Sequence, residues 1–541
     1  MNKSLYYNRN TISLILCAMI SFLIICLLTP KGFILGTSSY WLTDAEDITQ
    51  YIAGFNYYFI SEWHFPLLAF DSLNYPGGTR ATFVDAIPLY ALILKLILPH
   101  SLYPFNPFGY WVAFCFVMQG IGSWLIAKEL RINCIFTTIT LAAILSAFPA
   151  LLFRLGHISL MSHWIILFSL ALYFEAKRIS KLQIIKISIL LFVSFYINIY
   201  LFVMASAIYF ASALLIIRND FSLKKIGAAL LPFVLVLTST LLFLFPLPPG
   251  GGTGDSGFGF YSMNLLSPFY GGTIFDLQLP MMFGQKYEGF NYLGLGTIIA
   301  LSITLFVNKN IHKSIKSNFS LFVVLCILFL YSLSGDIYFS NALVAKLYYP
   351  HVTDTLTAQF RASGRFFWPV GYVLSIYGIY KIYKLPSFKT RYILLLIVFS
   401  IQYVDLVNQF SLFKERSSRQ ALEQINYKVW EEDIKNNDIK NIYFYPKFRC
   451  GGDPMKTLLP IMNLSSKLNI NLNTGYIARY MPSCDDYAKE IKKSPKSGSL
   501  YIFDSNSYTE SDVGRFLINK ENFSCLRRDF AYVCRYKQGA Y

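Results

Sequence analysis

Apolar runs of bilayer-spanning length recur along the first four hundred residues, at roughly 11–29, 109–127, 134–153, 159–175, 183–198, 200–217, 226–246, 291–307, 319–334, 367–383 and 391–407. A run of about 20 apolar residues is what a transmembrane helix needs. The pattern predicts a polytopic α-helical membrane protein with about 11 transmembrane helices. One apolar stretch is different. Ala86 to Leu98 (AIPLYALILKLIL) holds only thirteen residues and carries Lys95, which predicts an interfacial or re-entrant helix inside one long first external loop, 30–108. Beyond residue 410 the pattern turns polar. There NIYFYP (441–446) and LYIF (500–503) read as strands, and 417–436, 455–468, 484–494 and 509–519 as helices. The expected organisation is a membrane domain, 1–410, and a C-terminal extracytoplasmic α/β domain, 411–541.

Charge orients this scheme. With the N-terminus inside, the short inner loops and the N-terminal pair hold 18 Lys and Arg, whereas the longer outer loops hold eight. That asymmetry predicts a cytoplasmic N-terminus and, after eleven spans, a tail outside. Only 14% of residues are charged, while 55% are hydrophobic and 17% aromatic, against about a quarter charged in soluble domains. The net charge of +17 resides mainly in the inner loops and the tail, so it does not point to nucleic acid. The first run lacks a small-residue cleavage site and reads as an anchor, not a cleaved signal peptide. Cys17, Cys26, Cys115, Cys134 and Cys326 read as apolar fillers in or beside spans. The tail adds Cys450, Cys484, Cys525 and Cys534. An even number in a small domain suggests two disulfides, hence an oxidising compartment. Cys525 and Cys534 bracket LRRDFAYV, a hairpin that one bridge closes, which leaves Cys450 for Cys484. Four free thiols in a cytoplasmic tail is the other reading.

The outer loops are long and rich in acids, Arg, His, Gly and aromatics. The first opens with TDAEDITQYIAGFNYY (43–58). On a helix, Asp47, Gln50 and Gly54 share one face, with Asp44 preceding on it. They either line a cavity or mark a helix N-terminus capped by Thr43, where acids favour the dipole. NYPGGT (74–79) is turn chemistry, and FVDAIP (83–88) follows with Asp85. Later come FRLGHISLMSHW (153–164), with Arg154, His157 and His163, and TAQFRASGRFFW (357–368), with Arg361 and Arg365. If 357–368 is helical, two guanidiniums at i and i+4 repel unless an anion sits there, and phosphate suits paired arginine donors. Snorkelling at a span mouth is the bland alternative. His157 and His163 are six apart, a poor spacing for a metal pair.

Taken in order, these motifs resemble the GT-C superfamily of integral-membrane glycosyltransferases, and more narrowly an uncharacterised bacterial family within it. The matching residues are Asp47, Gln50, Gly54 and Phe55; Tyr75, Pro76, Gly78 and Thr79; Asp85, Ile87 and Pro88; Arg154, Gly156, His157, His163 and Trp164; and Arg361 to Arg365. The family often has His after the Gln, and here Tyr51 stands there. The resemblance implies a GT-C-like bundle in a bacterial cytoplasmic membrane. It implies transfer of a sugar from a polyprenyl-phosphate donor to an envelope glycan or lipid acceptor on the outer face, with inversion. Asp47, with Asp44 as fallback, would be the base. Arg361 and Arg365, assisted by His157, would hold the leaving phosphate, with Gln50, Asp85, Arg154 and His163 also placed toward substrate. Some superfamily members use a divalent metal, and no carboxylate cluster here insists on one. Three rivals stay open: a transporter or flippase of lipid-linked glycans, a polymerase of them, and a non-catalytic glycan binder.

Overall fold

The computed structural model describes residues 3–219, 221–248, 250–251, 254, 256–307, 311–484, 487–493, 497–517 and 522–536. The ends of the expected 484–494 and 509–519 helices, and parts of the Gly-rich run 246–260, lie outside the described residues. The chain is mostly helical. Every one of the eleven apolar runs contains a helix, but their lengths differ. Among the described residues five helices are long and apolar enough to cross a membrane: Arg9–Leu28, Phe108–Glu129, Ile158–Ile179, Ile199–Arg218 and Leu223–Phe243. Two bent pairs would make seven. These are Ile311–Ser317 with Phe319–Leu333, bent by 94°, and Phe388–Asp405 with Val407–Ser417, bent by 46°.

The shorter helices have local causes. The 134–153 run stops at Ile135–Ser146 and resumes as Pro149–Leu152. Pro149 lacks the N–H that would continue the ladder, and a proline biases the residue before it toward extended backbone, as Phe148 is. Asn198 is extended between Ile184–Ile197 and Ile199–Asn219.

The chain divides into two compact units. The first comprises Met1–Ile34, Gly109–Val236 and Gly254–Ser418; the second comprises Leu35–Phe108, Leu237–Thr253 and Arg419–Tyr541. One boundary between the units falls at 418/419, and residues 35–108 group with 419–541. In the first unit, helices touch through small and hydroxyl residues. A Cβ on Gly120 would lie 2.3 Å from the Cys17 carbonyl oxygen, and the Ser21 and Ser146 hydroxyls are 2.7 Å apart. Small residues let helix backbones approach this closely. Asp405, at the end of Phe388–Asp405, is fully buried. Its carboxylate accepts from the N–H groups of Ile274, Phe275 and Leu295 and from the Tyr292 hydroxyl. It serves the start of the Leu295–Val307 helix, whose first N–H groups have no partner within the helix.

In the second unit a five-stranded sheet has the order Asn471–Leu472, Asn441–Tyr445, Ser499–Asp504, Ala531–Tyr536, Phe523–Arg528. The first three strands are parallel and the last two run antiparallel. The central strands are buried along their whole length, as a covered parallel sheet requires. Helix Leu458–Leu468 links the first pair. The loop 35–108 extends this sheet: Leu73 forms a parallel bridge with Leu472. Cys450 is bonded to Cys484 and Cys525 to Cys534. Helix Pro88–Ile97 leaves Ile93, Leu96 and Ile97 exposed. Its Lys95 is buried and donates to the carbonyls of Tyr58, Ser61 and Glu62, closing the end of helix Asp47–Ile60.

Candidate functional site

In the first unit four side chains from three separated segments meet at one carboxylate. Arg154 follows the Pro149–Leu152 turn, and His157 lies three residues on. Glu288 follows the short helix Phe283–Tyr287, and Arg365 sits in the 3-10 turn Ser363–Phe367. Arg154 Nη1 donates to Glu288 Oε2 at 2.5 Å, and its Nη2 to the Tyr287 carbonyl at 2.7 Å. Arg365 grips the same carboxylate with both Nε and Nη2, each at 2.8 Å. His157 Nε2 lies 3.4 Å from Glu288 Oε1. Aromatic rings wall the cluster. The Arg154 guanidinium lies over Phe153, Tyr287 and Trp368, and that of Arg365 lies 4.7 Å over Tyr200.

Arg154 is 1% exposed, and the Glu288 side chain 7%. Burial alone would raise the Glu288 carboxyl, but the charges of Arg365 and Arg154 and the His157 hydrogen bond outweigh it and hold the group well below the usual carboxylate range. Two guanidiniums face one carboxylate, so the cluster carries excess positive charge. The Nε of Arg154 is buried without a hydrogen-bond partner.

Other expected residues of this unit go elsewhere. Arg361 and Arg365 do not share a helix face: helix Asp354–Gln359 ends before them and Ser363–Phe367 is a 3-10 turn. Arg361 instead donates to the Ser256 carbonyl and lies over Tyr261. The repulsion argued from an i,i+4 pair therefore does not arise, and the anion beside Arg365 is a protein carboxylate. His163 is fully buried, its Nδ1 2.9 Å from the Tyr372 hydroxyl, which also accepts from Gln119 Nε2 at 2.8 Å. Its ring lies 4.2 Å from that of Trp368, tilted by 34°, the ring that Arg154 also meets. Among the described residues, no group of three His, Cys, Asp or Glu gathers where it could hold a metal ion.

The opening motif belongs to the second unit. Helix Asp47–Ile60 starts at Asp47, with Glu46 before it, so Thr43 is not its N-cap. Thr43 accepts from the Thr49 hydroxyl through its carbonyl. Asp44 is fully buried and accepts from the Gln424 N–H at 2.9 Å. Burial raises its carboxyl by more than the hydrogen bonds from Gln424 and Tyr427 lower it. Glu46 pairs with Arg419. Asp47 is partly exposed in the first helical turn, where the dipole favours a carboxylate. Gln50 Nε2 donates to the Tyr476 carbonyl at 2.9 Å. Gly54 permits close packing: a Cβ there would meet the Val84 side chain at 2.6 Å and its carbonyl at 2.7 Å. NYPGGT turns the chain between paired strands Ala69–Phe70 and Thr79–Arg80, and Asn74 accepts from the Tyr480 hydroxyl. Asp85 closes the 81–84 turn at φ 53°, a left-handed conformation that Asp tolerates. Much of what reads as a substrate motif thus holds the first loop against the tail.

Sequence reasoning missed Glu288. It sits in a stretch, Gln285 to Tyr292, that reads only as polar loop, and its signal was indirect: Arg154 and Arg365 each need an acid, but the sequence does not say which of the many acids outside the opening motif supplies it. Tyr372 and Gln119 were hidden within apolar runs.

A family model described as a domain of unknown function, DUF6311, matches residues 18–407, and a second, the DUF6311 C-terminal domain, matches residues 429–536. No curated protein matches the chain.

Proposed function

We propose, for a chain that belongs to the DUF6311 family, that it is a GT-C-like glycosyltransferase of the bacterial cytoplasmic membrane. Its donor would be a polyprenyl-phosphate-linked sugar, and its acceptor an envelope glycan or lipid on the outer face. The N-terminus would be cytoplasmic, the bundle would cross about eleven times, and the tail would lie outside. The observation that carries the reading is the excess positive charge of Arg154 and Arg365 around Glu288, with Arg154 Nε unpaired. A lipid phosphate leaving an anomeric carbon gains charge that such guanidiniums stabilise. In the reaction, an acceptor hydroxyl oxygen bonds to the anomeric carbon as the carbon–phosphate oxygen bond breaks. A carboxylate takes the hydroxyl proton. Asp47 is the better candidate for that base, because Asp44 is buried against Gln424 and Tyr427.

A non-catalytic glycan-binding role is the second reading, favoured by Arg365 being held bidentately by Glu288. Envelope glycans from three strains separate the two: a deletion, the deletion with wild type restored, and the deletion with Asp47→Asn. Transfer predicts a one-sugar mass that is lost in the deletion and returns only with wild type. Full restoration by Asp47→Asn removes Asp47 as base, and no glycan change in the deletion counts against transfer.

A further inference from the structure

On the first unit, an open groove of about 640 Å³ separates the 258–260 segment from the hairpin Asp336–Phe339/Ala342–Lys346. Its walls are rings: Phe258, Phe260, Tyr338, Tyr348 and Tyr349. Phe258 and Tyr349 brace each other at 5.1 Å and both rest on Tyr331, so they form a fixed floor. Tyr348 is 84% exposed and Phe260 46%. At the rim Asp336 and Lys346 lie 3.6 Å apart, both solvent-accessible.

We infer that this groove binds a saccharide. Its size is that of a ligand site, apolar walls with a few polar groups. A pyranose has an apolar C–H face to lay on exposed rings, while its edge of hydroxyls needs both an acceptor and a donor. Asp336 and Lys346 supply one of each. A lipid chain covering the same rings would strip water from both charged groups without replacing their hydrogen bonds, which is costly. An anionic ligand would meet a carboxylate as often as an ammonium. The saccharide is the occupant that uses every group present. Binding is argued from the groove alone; that the bound sugar is the acceptor rests on the transfer reading.

The test is saturation-transfer NMR on the full-length protein in nanodiscs, with maltotetraose, cellotetraose and chitotetraose as probes. We expect transfer to the ring C–H protons of at least one probe. The signal should fall more than threefold in Tyr348→Ala and persist in Tyr348→Phe. Unchanged thermal unfolding of both variants verifies the fold, which an exposed side chain should not affect. Absence of transfer to all three probes, or equal transfer in Tyr348→Ala, overturns the proposal. So does broadening of Tyr348 resonances by spin-labelled lipid, which would assign the groove to the bilayer. If the groove fails while the glycan comparison still shows transfer, only the groove is lost; if both fail, the transfer reading falls on its own test.

Discussion

Glu288→Gln is the perturbation the charged cluster defines most sharply. The wild-type carboxylate accepts three charge-assisted hydrogen bonds, one from Arg154 and two from Arg365. Glutamine keeps the shape and removes the charge. Two guanidiniums then remain with no counter-charge, one 1% and the other 12% exposed. Opposite charges about 4 Å apart attract by ~4 kcal/mol at the effective dielectric of protein sites. Removing one partner of a buried pair costs about 3–5 kcal/mol. Spread over the unfolding entropy of a unit this large, that is a fall of roughly 4–7 °C in melting temperature. The buried thiols Cys17 and Cys115, both in this unit, give the assay. A thiol-reactive dye reports their exposure as purified protein is heated. The double variant Glu288→Gln with Arg365→Gln should lose less than the sum of the two single losses, because the second change removes one of the stranded charges. A shift below about 1 °C for Glu288→Gln, or strict additivity in the double variant, would refute the reasoning.

Other expectations follow from the same geometry. Because the Glu288 carboxyl is held well below its unfolded value, its stabilisation is complete above about pH 4.5 and is lost as pH falls below that; the Glu288→Gln variant should lack this part of the acid limb in thermal unfolding. Tyr57 donates to Ser465 Oγ at 2.7 Å and to the Ile470 carbonyl at 3.1 Å, so Tyr57→Phe should cost about 1–3 kcal/mol, seen as faster hydrogen exchange in helix Leu458–Leu468. Gly54→Val should cost ~1–3 kcal/mol or more by overpacking against Val84, read as proteolysis of the second unit. Cys450 and Cys484 close a loop 34 residues long, for which loop-closure entropy gives ~3–4 kcal/mol; in whole cells, maleimide reagents should label the tail cysteines only after reduction, and labelling without reductant would put the tail in a reducing compartment.

The apolar runs were legible because a helix in an apolar setting satisfies its own backbone, so composition alone marks it. Strands Asn441–Tyr445 and Ser499–Asp504 were legible from their aromatic and β-branched runs, and the Phe523–Arg528/Ala531–Tyr536 hairpin from its bracketing cysteines. Breaks were harder. Pro149 was visible, yet the 134–153 run read as one span because hydropathy ignores the missing donor. Only helix Tyr427–Asn436 forms in the expected 417–436 stretch, and Asn426 caps it through Val429 N–H, a signal that apolar periodicity does not weigh. The docking of the first loop on the tail was illegible, since Gln50 meets Tyr476 and Tyr57 meets Ser465 across some four hundred residues. Motif spacing records local geometry and carries nothing about such partners. The same reason hid Glu288 from Arg154 and Arg365.

The most direct measurement uses purified protein in lipid vesicles, supplied with polyprenyl-phosphate hexoses and a membrane-glycan extract, with free polyprenyl phosphate followed by mass spectrometry. The account predicts release that requires both donor and extract, is abolished by Asp47→Asn, and is weakened at least tenfold by Arg154→Met. Release that proceeds equally in Asp47→Asn would contradict the assigned base, and no release from any donor would contradict glycosyl transfer itself.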